Sequence, residues 1–326
     1  MTNAFVMAAG KGTRLAPWTN VVPKPALPVA NEPAMGFLLR RAAQGGHRNL
    51  VANASWLGDV LMGIFGDGSA YGVQLEWNVE REPLGTAGGV LAAQDRLRDG
   101  DEPIIVLSGD GLHDVDLAAV ERTHRESGAI ATLALLPVGD ASQYGVAVTD
   151  AGARITGFQE KPAPGTELST LANTGIYVLA PEALDLCASW GLSDFGSELF
   201  PRLLAEGRHL QAHALEGTYW NDIGDLDEWR ATGAAILDQR VEVGLGAWTE
   251  AGDADGVLIH PTARVGDGVQ LVGPCVVGAG ATIGDGAILR SALVLPNAEV
   301  PAGLVVASGT VGSLEGLERW ARELAG

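Results

Sequence analysis

From Ile259 onward an aliphatic residue returns every six positions, at Ile259, Val265, Leu271, Val277, Ile283, Leu289 and Leu295. Small or apolar residues (Ala263, Val269, Cys275, Ala281 and Ala287) follow the first five of these by four positions, and Gly266, Gly268, Gly278, Gly280, Gly284 and Gly286 stand at the intervening corners. Neither the 3.6-residue period of a helix nor the two-residue period of a strand fits this spacing. A chain that turns a corner every six residues and buries a side chain on each flat side stacks as a parallel β-helix of about 18 residues per coil. Residues 257–311 are therefore expected to form about three coils, with an ordinary β-sandwich as the competing arrangement. The stretch "SLEGLERWAREL" from Ser313 has helical spacing and predicts a capping helix over 313–326. A loose stretch at 241–256 separates this part from what precedes it.

Residues 1–240 have a different rhythm. Short apolar runs, "AFVMAA" from Ala4, "NLVANAS" from Asn49, "VQLEWNV" from Val73, "PIIVLSGD" from Pro103 and "AIATLALLPV" from Ala129, read as strands. Helical patterns lie between them, in "PAMGFLLRRAAQ" from Pro33, "DVLMGIF" from Asp59, "TAGGVLAAQDRL" from Thr86 and "DLAAVERTHRES" from Asp116. This alternation predicts an α/β fold with a doubly wound, mainly parallel, Rossmann-like sheet, and such sheets bind ligands beyond the carboxyl ends of their strands.

Charge narrows the function. A net charge of −19 and the lack of any basic run argue against a nucleic-acid partner. No apolar run is long enough to span a membrane and no secretory leader is present, so a cytoplasmic protein without a membrane partner is expected. Cys187 and Cys275 are too few and too distant for a disulfide framework or a zinc site, and are expected to be buried thiols. The whole chain has three lysines, Lys11, Lys24 and Lys161. A codon bias toward arginine explains their rarity but not where they stand. Two of them fall in "MAAGKGTRLAPWTNVVPKPALPV" from Met7, a glycine-bearing loop after the first strand. There Gly10 and Gly12 let backbone N–H groups approach an anion, and Thr13 and Arg14 add donors. A dinucleotide fingerprint would need glycine at Leu15, and a Walker loop would need glycine at Phe5 and Ser or Thr at Gly12.

Gly10-x-Gly12-Thr13-Arg14, then Pro23-Lys24-Pro25 and Pro28-Val29, resembles the signature of the sugar-1-phosphate nucleotidylyltransferases, also called nucleotide-sugar pyrophosphorylases. Further matches follow in order: "EPLGTAGGV" from Glu82, "LSGD" ending at Asp110, "GFQEKP" ending at Pro162, "NTGIYVL" from Asn173 and "YWNDIGDLDEW" from Tyr219. The resemblance covers about residues 1–240, and such enzymes often append a left-handed β-helix. It implies that a sugar 1-phosphate oxygen attacks the α-phosphorus of a nucleoside triphosphate and that pyrophosphate leaves, a reaction that needs positioning and charge neutralisation. Arg14 would hold the β- and γ-phosphates, Lys24 would reach the α-phosphate and Lys161 would hold the sugar phosphate. The nucleotide would lie against Ala8, Ala9, Gly10, Gly12, Thr13, Gly85 and Thr86, and the sugar against Gly145, Glu160, Asn173 and Gly175. Asp110 and Asp222 would share a Mg²⁺ ion, a hard cation suited to oxygen ligands. Asp225 and Asp227 are expected to serve the next helix's N-terminus instead.

"PLGTAG" is most similar to the mannose-1-phosphate guanylyltransferase branch, which implies GTP, mannose 1-phosphate and GDP-mannose. Uridylyl or thymidylyl transfer to another sugar 1-phosphate stays open, as does a non-catalytic nucleotide-sugar sensor on the same fold. Ala16 stands where many relatives carry a basic or bulky residue, which leaves the triphosphate end, or an effector site, open. Acyl transfer on the β-helix would need longer coils and a placed base, and His260 is the one histidine there. The repeat's apolar ends imply a homo-oligomer, and residues 1–240 are expected to fold without the repeat.

Overall fold

The computed structural model describes residues 3–243 and 256–326, so most of the loose stretch expected at 241–256 lies outside the described residues. The N-terminal part contains strands β1 (Ala4–Met7), β2 (Pro28–Val29), β3 (Glu32–Pro33), β4 (Asn49–Ala54), β5 (Gln74–Val79), β6 (Ile104–Ser108), β7 (Gly111–His113), β8 (Ala131–Pro137), β9 (Val146–Thr149), β10 (Ile155–Gln159), β11 (Leu171–Leu179), β12 (Leu210–Ala214) and β13 (Trp220–Asp222). Helices α1 (Ala34–Gln44), α2 (Gly58–Phe65), α3 (Thr86–Ala92), α4 (Gln94–Leu97), α5 (Leu117–Ser127), α6 (Pro181–Trp190), α7 (Phe200–Ala205) and α8 (Leu226–Leu237) are interspersed. The pattern read as one helix from Thr86 breaks at Ala93 into α3 and α4. Asp116 starts α5 by accepting from the Ala119 N–H, and Gly128, at φ +61°, ends it.

The central sheet runs β5-β4-β1-β6-β11-β9-β10, with β8 paired to β11 and β12 to β8. Its β5, β4, β1 and β6 are mutually parallel, whereas β11 returns antiparallel to β6 and makes the second half mixed. Ala4 and Val6 enter one core and Phe5 the other, and Ile105 and Leu107 divide likewise from Ile104 and Val106. Burial on both faces is why these strands read as unbroken apolar runs. After β1 the chain goes first to β4 on one side and later to β6 on the other, so a crevice opens between them at their carboxyl ends.

The C-terminal part contains strands β14 (Val257–Ile259), β15 (Arg264–Val265), β16 (Gln270–Val272), β17 (Cys275–Val277), β18 (Thr282–Ile283), β19 (Ile288–Arg290), β20 (Ala292–Val294), β21 (Glu299–Val300), β22 (Val305–Val306) and β23 (Gly309–Val311), then helix α9 (Leu314–Ala325). They form three parallel sheets, β14-β17-β20-β23, β15-β18-β21 and β16-β19-β22, an arrangement compatible with a β-helix. The period slips twice, at corresponding corners before Ala292 and before Gly309. Val257 pairs with Cys275, eighteen residues on, but Val276 pairs with Leu293, seventeen on. Ser291, at φ +42°, takes the corner that Gly273 and Pro274 share one coil earlier. Val294 rather than Leu295 therefore pairs with Val277. Leu295 instead joins a core with Leu317, Trp320 and Ala321 of α9 and, across the crevice-bearing part, Val29, Leu61 and Trp229.

Candidate active site

A cavity of about 260 Å³ lies at the crevice. Met7 to Gly10 run on from β1, Asn53 stands near the end of β4, Glu80 follows β5, and Ser108 and Asp110 close β6. Lys24, Pro25, Pro83, Gly85 and Thr86 complete the wall. The sheet thus brings together Ala8, Ala9, Gly10, Lys24, Gly85, Thr86 and Asp110 from segments far apart in the chain. Gly12 and Thr13 are not part of the wall.

Lys24 enters from a short helical turn, and its side chain is only 10 % exposed. Its ammonium bonds the Asp110 carboxylate and lies 3.0 Å from Asp222 Oδ1. Asp222 arrives on β13, which pairs antiparallel with β7 so that Asp222 faces Gly111, next to Asp110. Burial opposes the charge on Lys24, but the two carboxylates outweigh it and raise its pKa. Burial also opposes ionisation of Asp110, yet the Lys24 ammonium and the Ser108 hydroxyl, 2.6 Å away, hold its carboxyl below the ordinary range. Asp222 goes the other way: burial and the neighbouring Asp110 charge raise it despite Lys24. Two carboxylates against one ammonium leave this point a positive charge short. The donors fit a hard divalent cation, which carboxylate oxygens ligate while water and substrate oxygens fill the other positions. No cluster of three or more metal-binding side chains occurs among the described residues, so such an ion would rely on those outside ligands.

The opening loop is set by Gly12, at φ +64°, where an added Cβ would meet Lys24 Cβ at 3.0 Å. Glycine is needed there to let the loop lie on the lysine stem, not to face a ligand. Gly10 has open space around it instead. Arg14 is exposed, and its guanidinium rests against Gly224, from where its charge acts on Asp222. Lys11 lies over the Trp56 ring, 4.2 Å from its centroid. The backbone N–H groups of Ala8 and Ala9 both donate to Asn53 Oδ1, at 2.6 and 3.2 Å. Thr86 is likewise engaged, because its hydroxyl donates to Asp194 and accepts from the Phe195 N–H. Gly85, at φ +83°, packs on the Ser193 carbonyl, where no Cβ fits.

The residues expected to face a sugar gather across β6. The Asn173 N–H donates to the Gly145 carbonyl at 2.8 Å, and its side-chain amide donates to the Tyr177 hydroxyl. Gly175, at φ +77°, lies so close over Ser108 that a Cβ would stand 2.8 Å from that residue's Cβ. Glu160 packs between Gly145 and Gly196, and burial raises its carboxyl pKa although Lys161 opposes this. Lys161 itself is 67 % exposed and lies 3.8 Å from Glu160. Tyr144 and Trp220 make an edge-on pair beside them, and Trp220 Nε1 donates to the Thr174 carbonyl. Asp225 caps α8 by accepting from the Asp227 and Glu228 N–H groups.

Asn53, Glu80 and Ser108 escaped the sequence reading, as did the bridging position of Lys24. The first three stand at or just past strand ends, which is the signal that could have found them. Asn53 and Glu80 are both buried and bonded to each other, Nδ2 to Oε1, at 2.8 Å.

A family model described as nucleotidyl transferase matches residues 3–239. The chain belongs to the sugar-1-phosphate nucleotidyltransferase family. Among its relatives, a UTP–glucose-1-phosphate uridylyltransferase of Synechocystis sp. is 35% identical over 89% of this chain and 82% of its own. A mannose-1-phosphate guanylyltransferase of Mycobacterium tuberculosis is 35% identical over 93% of this chain and 82% of its own. A probable mannose-1-phosphate guanylyltransferase 1 of Oryza sativa subsp. japonica is 32% identical over 98% of this chain and 88% of its own. As a sugar-1-phosphate nucleotidyltransferase, the chain is an enzyme of nucleotide-sugar synthesis whose substrates are a nucleoside triphosphate and a sugar 1-phosphate. Members of the family generally use a divalent metal. No helix among the described residues is long and apolar enough to cross a membrane.

Proposed function

We propose that the chain makes GDP-mannose and pyrophosphate from GTP and mannose 1-phosphate, with Mg²⁺ at Asp110 and Asp222. The observation that carries the chemistry is the Lys24 ammonium held between these carboxylates at the wall of the crevice cavity. The substrate pair is supported by the relatives named as guanylyltransferases over 93% and 98% of this chain. Bound Mg²⁺ supplies charge stabilisation to the phosphate oxygens. Asp110 and Asp222 would hold the ion, and Lys24, which bonds both carboxylates, would then be placed to pair with the α-phosphate. Arg14, on the Asp222 side, takes the β- and γ-phosphates, and exposed Lys161 receives the sugar phosphate. Gly10 admits the triphosphate, with Gly12 and Thr13 fixing the loop, while Ala8, Ala9, Gly85 and Thr86 wall the nucleoside. Gly145, Glu160, Asn173 and Gly175 shape the sugar side.

Residues 1–240 form the catalytic unit in this proposal, 257–311 a left-handed β-helix and 313–326 its closing helix. The enzyme works in the cytoplasm as a homo-oligomer, joined through the first coil, where Ile259 and Val265 are each 43 % exposed. Pyrophosphate release, assayed across the common triphosphates and several sugar 1-phosphates, tests the substrate pair. GTP with mannose 1-phosphate should give the highest kcat/KM. The uridylyltransferase from Synechocystis sp. favours a second outcome, preference for UTP and glucose 1-phosphate, which would replace the first. Tight binding of nucleotide sugar without turnover would mark a sensor.

A further inference from the structure

Lys11 follows Gly10, which lines the crevice cavity, and its side chain is exposed. Lys24 and Lys161 both reach carboxylates, whereas Lys11 pairs with none among the described residues, in a chain with 40 acidic side chains. Its ammonium lies instead 4.2 Å from the centroid of the Trp56 ring. Trp56 is half-buried on the connection between β4 and α2, shortly after Asn53 of the cavity wall. Its ring is fixed, because Nε1 donates to the Thr19 carbonyl at 2.8 Å and the buried Thr19 hydroxyl donates to the Gly12 carbonyl at 2.9 Å. Gly12 in turn lies on the Lys24 stem. Trp56 thus pins the glycine loop onto one lysine and seats the other. Arg14 leaves the same loop toward Gly224, so the loop carries one cation toward the end of β4 and another toward the end of β13.

We propose that Lys11 is a second cation for the terminal phosphates of the triphosphate, and that Trp56 is the residue that positions it and the loop for that contact. An ammonium seated on an exposed aromatic face keeps its charge and gives up little on leaving, since such a contact is weak there. A bond from the same ammonium to a phosphate oxygen is charge-assisted and stronger. A carboxylate seat would compete with the phosphate for the ammonium, and the indole ring does not. The ring also holds the long side chain extended, which reduces the rotamer freedom lost when a phosphate is bound. The role rests on the reading above that the triphosphate lies along the glycine loop with Arg14 on its β- and γ-phosphates.

The reverse reaction, in which inorganic pyrophosphate and a nucleotide sugar give the triphosphate and the sugar 1-phosphate, reads the terminal phosphates by themselves. With GDP-mannose or UDP-glucose, whichever the parent enzyme uses, Lys11→Gln should raise the KM for pyrophosphate about 10-fold and leave that for the nucleotide sugar unchanged. Lys11→Arg keeps the charge and should restore most of the loss. Trp56→Leu removes both the seat and the Thr19 bond and should raise the same KM, while Trp56→Phe, which keeps an aromatic face, should raise it less. Adding Lys11→Gln to Trp56→Leu should then change little, because the two residues act on one contact. An unchanged pyrophosphate KM in Lys11→Gln would overturn the proposal, as would an equal rise for pyrophosphate and nucleotide sugar, which would make Lys11 a support of the loop alone. Lys11 is exposed, so this variant decides the matter even if Trp56→Leu does not fold. Fully additive losses in the double variant would remove the role of Trp56. Arg14→Gln separates this proposal from the reading beneath it: a raised pyrophosphate KM there, with none in Lys11→Gln, would overturn the role of Lys11 and leave that reading standing, and no rise in either would remove both.

Discussion

Asp222 carries a raised pKa in the folded chain because it is buried beside Asp110. A carboxyl raised on folding binds its proton more tightly in the native state than in the unfolded one. Its ionisation therefore costs stability at neutral pH, and the cost disappears as pH falls through the folded pKa. Asp110 has the opposite sign, contributing stability above the ordinary carboxyl pKa that is lost as pH falls through its lowered one. Asp222→Asn should accordingly leave the metal-free Tm unchanged or raise it, while turnover falls on the order of 100-fold. Added MgCl₂ should raise the Tm of the parent protein and do so less for the variant, since an ion that binds only the native state stabilises by mass action. Calorimetry with and without MgCl₂ reads both effects, and a Tm several degrees lower in metal-free Asp222→Asn would show that the carboxylate supports the fold.

The hairpin β2–β3 links that residue cluster to the coil. It begins two residues after the short turn bearing Lys24, and its bend, Ala30 at φ +45° and Asn31 at φ +68°, reaches the C-terminal part. There Asn31 Nδ2 donates to the Val277 carbonyl at 3.2 Å, while Trp229 Nε1 of α8 donates to the Pro28 carbonyl at 2.8 Å. Asn31→Gly removes only the bond and should cost about 1 kcal/mol. Asn31→Ala adds left-handed strain and should cost about 1–2 kcal/mol more. Denaturant titration of the pair separates the two terms, and equal values would mean that backbone conformation is not strained at Asn31. The hairpin also marks what the sequence could convey. The buried apolar runs of β1, β4, β6 and β8 and the helical patterns were legible because burial and the 3.6-residue period are local signals, although β5 lies half exposed at the sheet's edge and the pattern from Thr86 is two helices. The ion pair from Lys24 to residues 86 and 198 positions away was not, since register between distant segments leaves no periodic trace. The six-residue period likewise marked out the C-terminal parallel strands but not the slips in their register, the first at Ser291, where a corner is shorter by a residue.

Across the whole molecule, one apolar core runs from the crevice-bearing part into the coil and α9. Leu258, Val276, Leu293 and Leu295 pack with Leu317 and Trp320 and with Leu61 and Phe65 of α2 in the same cluster. Gly63 of α2 lies so close to Ala325 of α9 that an added Cβ would stand 2.7 Å from the alanine Cβ. The chain's end thus packs on the helix that follows β4, the strand carrying Asn53. Residues 1–240 alone would expose the apolar face of this cluster, so they should not keep the stability that a self-contained domain would have. Trp320→Ala, which empties a buried site in the shared core, should cost about 3–5 kcal/mol. It should also lower the temperature at which the nucleotide pocket is lost, because pocket and coil unfold together. Calorimetry of the full chain should show one transition that moves as a whole in the variant. Two transitions, with the upper one unmoved by Trp320→Ala and abolished only by changes in β1 or β6, would show instead that the coil and its helix melt independently of the catalytic sheet.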